Sequence, residues 1–429
     1  MNILGLQQLQ QPDDRALVFT PWGLSLSGPV DAEQIARYQQ EAVASAELAS
    51  AVPNSTRQSF DRLRGLHTYG VMFYDAYTIV SQQAPIVLDL ALRERFLAFY
   101  AAGVPFVQGG RKGVITDVSS FEAFRDSLMD ETRRLRKEGA KGRWMLACGP
   151  QGEMSFSAGF NDLLRWARHV GLLHGQRNRA VERALGKLRN LAAHPSGYQI
   201  DSPVQSARIL WDVAEIINRL WGATTSGGRL YPHPIRREVI AIGWGGHDGS
   251  LVQFLADPDR DDVDGSKTYI LVLGVWQDPT LTSFDAAFER TTYPVRLLFG
   301  PARWRAVATW LHANTPGTDE VPYLDRLFLV RRHDHGVDLP RSAEVAAGIS
   351  GRERAGEWHL IQADHAGDAY LHVRGPGGTP NSTCEGTGPC NSCHVNVIAQ
   401  GPWESVAKAF DAEPASPPPV RVPSLYELG

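Results

Sequence analysis

The sequence predicts an α+β protein: a mostly helical bundle in its first half, then a separate α+β domain. Three observations carry this. Apolar residues recur at helical spacing through successive long segments from about Phe60 to Trp221. Beyond the turn-rich stretch "GATTSGGRLYPHPIRRE" the apolar period drops towards two, as in strands. The chain has 429 residues, enough for two or three domains with cores of their own.

The elements follow in order. Residues 15–30 mix β-branched and aromatic residues with Pro and Gly, which suits a short hairpin, and "DAEQIARYQQEAVASAELAS" reads as a helix. Residues 60–100 read as long helix, with a second run starting at Pro85, a favourable first helical position. "GVPFVQGGRKGVITDVSS" is a Gly-rich loop holding at most a short strand. Ser119 stands three residues before Glu122, a capping-box pattern, and the helix it starts ends in a basic turn before Gly139. "SAGFNDLLRWARHVGLL", "RAVERALGKLRNLAAH" and "SPVQSARILWDVAEIINRLWG" are three further helices, so this half reads as almost wholly helical. In the second half "VIAIGW", "LVQFLA", "TYILVLGVW", "RLFLV", "WHLIQA", "AYLHVR" and "HVNVIA" read as strands, and "GPARWRAVATWLHA" and "PWESVAKAFDA" as helices. The predicted boundaries are 1–56 for an N-terminal extension, 57–222 for the bundle, 223–237 for a linker, 238–412 for the α+β domain and 413–429 for a Pro-rich tail.

Composition excludes little but locates much. Hydrophobic residues make up 43%, charged residues 21%, and the net charge is −4, so any nucleic-acid surface must be local. The N-terminus lacks a basic leader and a sustained apolar run, and no apolar stretch reaches membrane-spanning length, so a cytoplasmic protein without membrane partners is expected.

"LRNLAAHP" carries the chemistry. Arg followed by His after four to six residues is cheap: Arg62/His67, Arg168/His174, Arg305/His312, Arg326/His333 and Arg354/His359 also fit. Arg189 and His194 differ in context, since they close one helix directly before a proline-initiated amphipathic one. Positions five apart are separated by about 140° on a helix, so Arg189 and His194 do not share a face, whereas Asn190 and His194 do. Pro195 disfavours helical geometry at His194 and frees that side chain from the regular wheel. A histidine can move a proton near neutral pH, and an arginine can stabilise phosphorane oxyanions, without a metal. The plainer alternative is a histidine that settles the helix macrodipole.

"LRNLAAHP" followed by "PVQSARILWDVAEIINRLWG" resembles the C-terminal half of a HEPN domain. "FYDAYTIVSQQAPIVLDLALRERF" is similar to the opening helices of HEPN domains in phage-defence and toxin-type proteins, where a tyrosine-rich helix runs into an acidic-x-A-L-R segment. The resemblance covers about residues 60–222. It implies catalytic roles for Arg189, Asn190 and His194, a site completed across a homodimer, and a metal-independent endoribonuclease acting as a toxin or antiphage effector. Asp89 stands where Glu is expected, and no role is carried over to it. Arg179, Arg183 and Lys187 belong to a basic run over 165–189, with Arg165, Arg168, Arg177 and Arg189 against the one acid Glu182, that suits an RNA backbone. The alternative is a catalytically inactive HEPN-like module that recruits partners through the second domain. That domain is expected to sense a trigger, a protein or a phage-derived factor.

Cys384, Cys390 and Cys393 crowd into ten residues with His394 adjacent, a distribution better suited to structural zinc than to disulfides. The fourth ligand is His394, the nearest, or His372 or His365 on the preceding strand. A redox or unliganded cluster remains open, and "CNSCH" also matches the haem-attachment pattern of exported proteins. "DPDRDDVDG" fails EF-hand geometry, having Asp262 at the sixth position and Thr268 at the twelfth, and reads as a solvated turn.

Overall fold

The structure, a computed structural model, describes residues 3–410 other than 4, 22, 140, 194–199, 232–234, 276–295, 315, 318, 322–323, 335, 344–345, 347–348, 350, 376–383, 385 and 391. The chain is mixed α+β and divides into two compact units. Unit 1 is Met1–His174 with Asn178–Pro232; unit 2 is Gly175–Arg177 with His233–Gly429. The predicted tail, 413–429, lies outside the described residues.

Unit 1 opens with a one-turn helix α1 (Leu6–Leu9) and a minimal hairpin of β1 (Phe19–Thr20) and β2 (Gly23–Leu24). Helix α2 (Ala32–Ala44) starts at Asp31, whose carboxylate accepts the Glu33 and Gln34 N–H groups at 3.0 and 3.1 Å. Two helices follow, α3 (Asn54–Thr68) and the long α4 (Asp75–Phe99). Pro85 lies buried inside α4 and starts no helix. Its ring removes one backbone hydrogen bond. Burial of Tyr77, Val80, Leu88, Leu92 and Phe96 along the same helix outweighs that loss.

The segment after α4 departs most from its sequence reading. Strands β3 (Val104–Gln108), β4 (Arg111–Ile115), β5 (Met145–Ala147) and β6 (Glu153–Ser155) form an antiparallel sheet in the order β4-β3-β5-β6. Strands of three to five residues are too short to show a period, and two come from a Gly-rich run. Helix α5 (Phe121–Lys137) is inserted between β4 and β5, and its cap is Ser120, whose hydroxyl accepts the Ala123 N–H at 3.0 Å. Ser119 instead bonds Asp117. Phe96 ties α4 to this insertion, with ring centroids 5.2 Å from Phe124, 5.1 Å from Phe156 and 5.0 Å from Trp166.

Helices α6 (Phe160–His169), α7 (Asn178–Ala193) and α8 (Pro203–Leu220) complete the unit. The Ser202 hydroxyl caps α8 by accepting the Gln205 N–H at 3.2 Å, with Pro203 in the first turn. Part of the predicted linker is built into unit 1. The buried Glu215 carboxylate accepts the N–H groups of Arg229, Leu230 and Tyr231 at 2.8, 2.6 and 3.2 Å. Gly228 permits this, because a Cβ there would stand 2.6 Å from Glu215 Oε2.

Unit 2 holds two antiparallel sheets. The first joins β7 (Ile235–Gly245), β8 (Val252–Leu255), β9 (Lys267–Val275), β10 (Arg296–Arg303) and β11 (Asp319–Val321), with helix α9 (Trp304–Ala313) over one face. The second contains β12 (Arg326–His333), β13 (Gly336–Val337), β14 (Arg341–Ser342), β15 (Glu357–Ala363), β16 (Gly388–Cys390) and β17 (Val395–Gly401). Helix α10 (Ala366–Arg374) covers one face through Ala366, Ala369 and Val373, packed on Val330, Ile361 and Val397. Helix α11 (Trp403–Ala407) covers the other through Trp403 and Val406 on Trp358 and Leu360. "AYLHVR", read as a strand, belongs to α10. Its alternation is brief, and the buried positions 366, 369 and 373 are spaced for a helix.

Candidate functional site

Arg189 and Asp89 meet in unit 1. Arg189 lies in the last turns of α7, and its Nη2 donates to Asp89 Oδ2 on α4 at 3.3 Å. Asp89 also binds Arg93, one turn on in α4, through both oxygens at 3.1 and 3.0 Å. Arg93 reaches Glu122 at 3.2 Å and lies over the Phe121 ring, 5.1 Å from its centroid. Asp89 is buried, with 7% of its side chain exposed against 32% for Arg189. Among the described residues the Arg189 guanidinium donates to Asp89, and about a third of its side chain stays exposed. Asn190 is exposed on the same helix. His194 lies outside the described residues.

The carboxylate that tethers Arg189 also lines a cleft of about 480 Å³ with Ser59, Arg62, Gln83, Ile86 and Arg93. Within "DLALR", Asp89, Leu90 and Arg93 line this cleft, and the acid is the one that reaches Arg189, so the sequence signal for Asp89 was present without an assigned role.

Helix α7 is held by a buried ion pair. Glu182, 4% exposed, accepts Arg168 Nε and Nη2 at 2.7 and 2.8 Å. Burial nonetheless pushes the Glu182 carboxyl above its usual range. Gly186 lets α6 come close, because a Cβ would stand 2.8 Å from Asn161 Oδ1. The basic run is thus partly structural. Arg165 pairs with Asp162 and Arg168 with Glu182. Arg177 belongs to unit 2, where it pairs with Asp368 at 2.8 Å while Asp364 accepts its N–H at 2.9 Å. Of the three residues expected to touch RNA, Arg183 and Lys187 are exposed one turn apart and Arg179 is half-buried.

A second group lies in unit 2. His372, Cys384, Cys390 and Cys393 place one ligand atom each within 4.8 Å of one another. His372 comes from α10, Cys390 ends β16, and Cys393 lies in the turn before β17. The fourth member is therefore His372, on a helix and not a strand, and His394 is outside the group. Neighbouring side chains in a turn diverge, and His394, at φ 54°, turns the chain away into β17.

The residues fit a metal. Cys384 Sγ is 3.8 Å from Cys390 Sγ and 3.6 Å from Cys393 Sγ. A tetrahedral ion with bonds of about 2.3 Å separates its sulfurs by about 3.8 Å, whereas a disulfide needs about 2.05 Å. His372 Nδ1 is buried without a hydrogen-bond partner among the described residues. Burial lowers the His372 pKa, favouring the neutral, ligating imidazole. Burial raises the Cys390 thiol, but the backbone N–H groups of Cys393 and Ser392, together with the Cys384 and Cys393 thiols, outweigh it and leave the pKa lowered. Burial pushes Cys393 upward.

The acidic turn 257–264 joins no such group among the described residues. Its Asp264 instead accepts the Ser266 N–H and hydroxyl at 2.8 and 2.6 Å. Close by, the buried Lys267 ammonium donates to the Gly245 and Ser250 carbonyls at 3.1 and 2.9 Å and to Asp248. Among the described residues no helix is long and apolar enough to cross a membrane. Comparison with known proteins finds no matching family model, curated protein or solved structure.

Proposed function

We propose that this protein is a metal-independent endoribonuclease of HEPN type, acting as a toxin or antiphage effector. The observation that supports this best is the Arg189–Asp89 contact between α7 and α4, which holds a half-exposed guanidinium beside a cleft. Arg189 stabilises the charge that builds on the phosphorane oxygens, and Asn190 binds a neighbouring phosphate or sugar oxygen. His194 takes the 2′-hydroxyl proton as that oxygen attacks phosphorus. The P–O5′ bond breaks, and the 5′-oxygen leaves with a proton from a second His194 across a homodimer. The products are a 2′,3′-cyclic phosphate and a 5′-hydroxyl.

The Cys384, Cys390, Cys393 and His372 group takes zinc in a structural role, with no position left for substrate. Unit 2 then serves as the stabilised sensing or partner-binding part, responding to a protein or phage-derived trigger.

The test is cleavage of total cellular RNA by wild-type, Arg189→Ala and His194→Ala proteins in EDTA, with end-group analysis. Cyclic-phosphate ends made by the wild type and lost in both variants are expected. Equal cleavage by all three overturns the reading.

One observation favours a second reading, a non-catalytic interaction module. Asp89 joins Arg189 and Arg93 in one ion-pair network, as a purely structural tie would. That reading requires Arg189→Ala to lower stability and leave RNA untouched.

A further inference from the structure

The geometry points to a second RNA-binding surface in unit 1, at the basic end of the β4-β3-β5-β6 sheet. Lys112 pairs with Val107 from one side, and Met145 pairs with it from the other. Lys112 and Met145 are thus about 10 Å apart across three strands, and Arg143 and Lys141 lead into Met145. Arg111 fastens the hairpin to the end of α5, donating to Glu138 Oε2 at 2.6 Å and to its carbonyl at 3.2 Å. That contact brings Arg136 and Lys137 to the same end. Five exposed cations therefore converge from three separate segments: Lys112, Arg136, Lys137, Lys141 and Arg143.

Local acids do not neutralise them. Asp130 pairs with Arg133, Glu131 with Arg134, and Glu138 with both Arg134 and Arg111. Among the described residues none of the five cations has an acidic partner, so an excess of five positive charges remains on a chain whose net charge is −4. The carbonyl end of α5 attracts Arg136 and Lys137. It gives no reason for Lys112, Lys141 and Arg143, which come from other segments. Trp144 makes the presentation rigid, because its ring stacks on Phe106 with centroids 5.6 Å apart and planes 22° from parallel.

A dense cationic surface of this kind binds a polyanion by releasing its counterions. The choice of RNA rests on the ribonuclease reading above. On that reading the surface holds substrate backbone outside the cleft that Asp89 lines, and adds affinity without touching the scissile phosphate.

The test measures binding of a fluorescein-labelled single-stranded RNA to the Arg189→Ala protein by anisotropy, over a salt series. Lys137→Ala, Lys141→Ala and Arg143→Ala together are expected to flatten the slope of log affinity against log salt by about 2, at about 0.7 per lost contact, and to weaken binding at low salt roughly tenfold or more. Lys137→Arg, Lys141→Arg and Arg143→Lys together should restore both. An unchanged slope in the triple alanine variant, with unaltered Tm, overturns the proposal. So does intact RNA binding with loss of binding to phosphatidylserine vesicles, which would make the surface a lipid-facing one. If the triple variant loses RNA binding while the wild type cuts no RNA, the surface stands and the ribonuclease reading fails.

Discussion

Asp89→Asn separates a carboxylate that positions Arg189 from one that merely ties two helices. Asp89 makes two bonds to Arg93, at 3.1 and 3.0 Å, and one to Arg189 at 3.3 Å. Asparagine keeps the volume and one acceptor, removes the charge, and turns an NH2 donor towards a guanidinium. Charge-assisted bonds to a buried group contribute about 1.5–3 kcal/mol each. Arg93 and Arg189 keep 27% and 32% of their side chains in solvent, which restores part of their hydration. The expected net loss is about 2 kcal/mol, which for a unit of this size lowers Tm by about 4–8 °C. On the ribonuclease reading, cleavage should fall further than stability explains. The guanidinium keeps its charge but loses its tether, and a misplacement of about 1 Å costs up to about 100-fold. The assay is single-turnover cleavage of a labelled RNA, beside calorimetry of the same preparations. A lowered Tm with the wild-type rate would refute the positioning role, and an unchanged Tm would refute the ion pair.

Three further predictions concern the rest of the molecule. Elemental analysis should find one zinc per chain. Cys390→Ser or prolonged chelation should then lower the unit 2 transition by about 8–16 °C, since metal at a thousandfold excess over Kd stabilises by about 4 kcal/mol; equal transitions with and without metal would sink the site. Buried His67 has its pKa lowered to about 4 from 6.5 by desolvation, so it folds neutral. Its contribution, about 3 kcal/mol, is complete above pH 6.5 and lost as pH falls towards 4; urea midpoints across that range should show this slope in the wild type and not in His67→Phe. Gln108 is 1% exposed with both amide atoms lacking partners among the described residues. Gln108→Met should therefore raise stability by about 1 kcal/mol, read as a higher Tm; a lower one would mean that the amide is satisfied.

Much of the candidate chemistry was legible in linear order. Three cysteines within ten residues announced the Cys/His group that could hold a metal, because ligands on one short loop need no long-range information to converge. Helices α5, α7 and α8 were legible for the same local reason: their periodic apolar faces lie within the segment, as do the capping Ser202 of α8 and the basic last turn of α5. The β3–β6 sheet was not, since strands of three to five residues are defined by their neighbours across the sheet more than by their own pattern.

Sequence alone determined which residues could do chemistry: an arginine and asparagine closing α7, and a cysteine cluster. Tertiary structure decided their partners. Asp89 reaches Arg189 across 100 positions because α4 and α7 pack side by side, and His372 displaces His394 because α10 lies over the sheet that ends in the cysteine turn. Residue type fixes what a side chain can donate or accept. Only packing, which joins segments distant in the chain, fixes which group it meets and how much water is left between them.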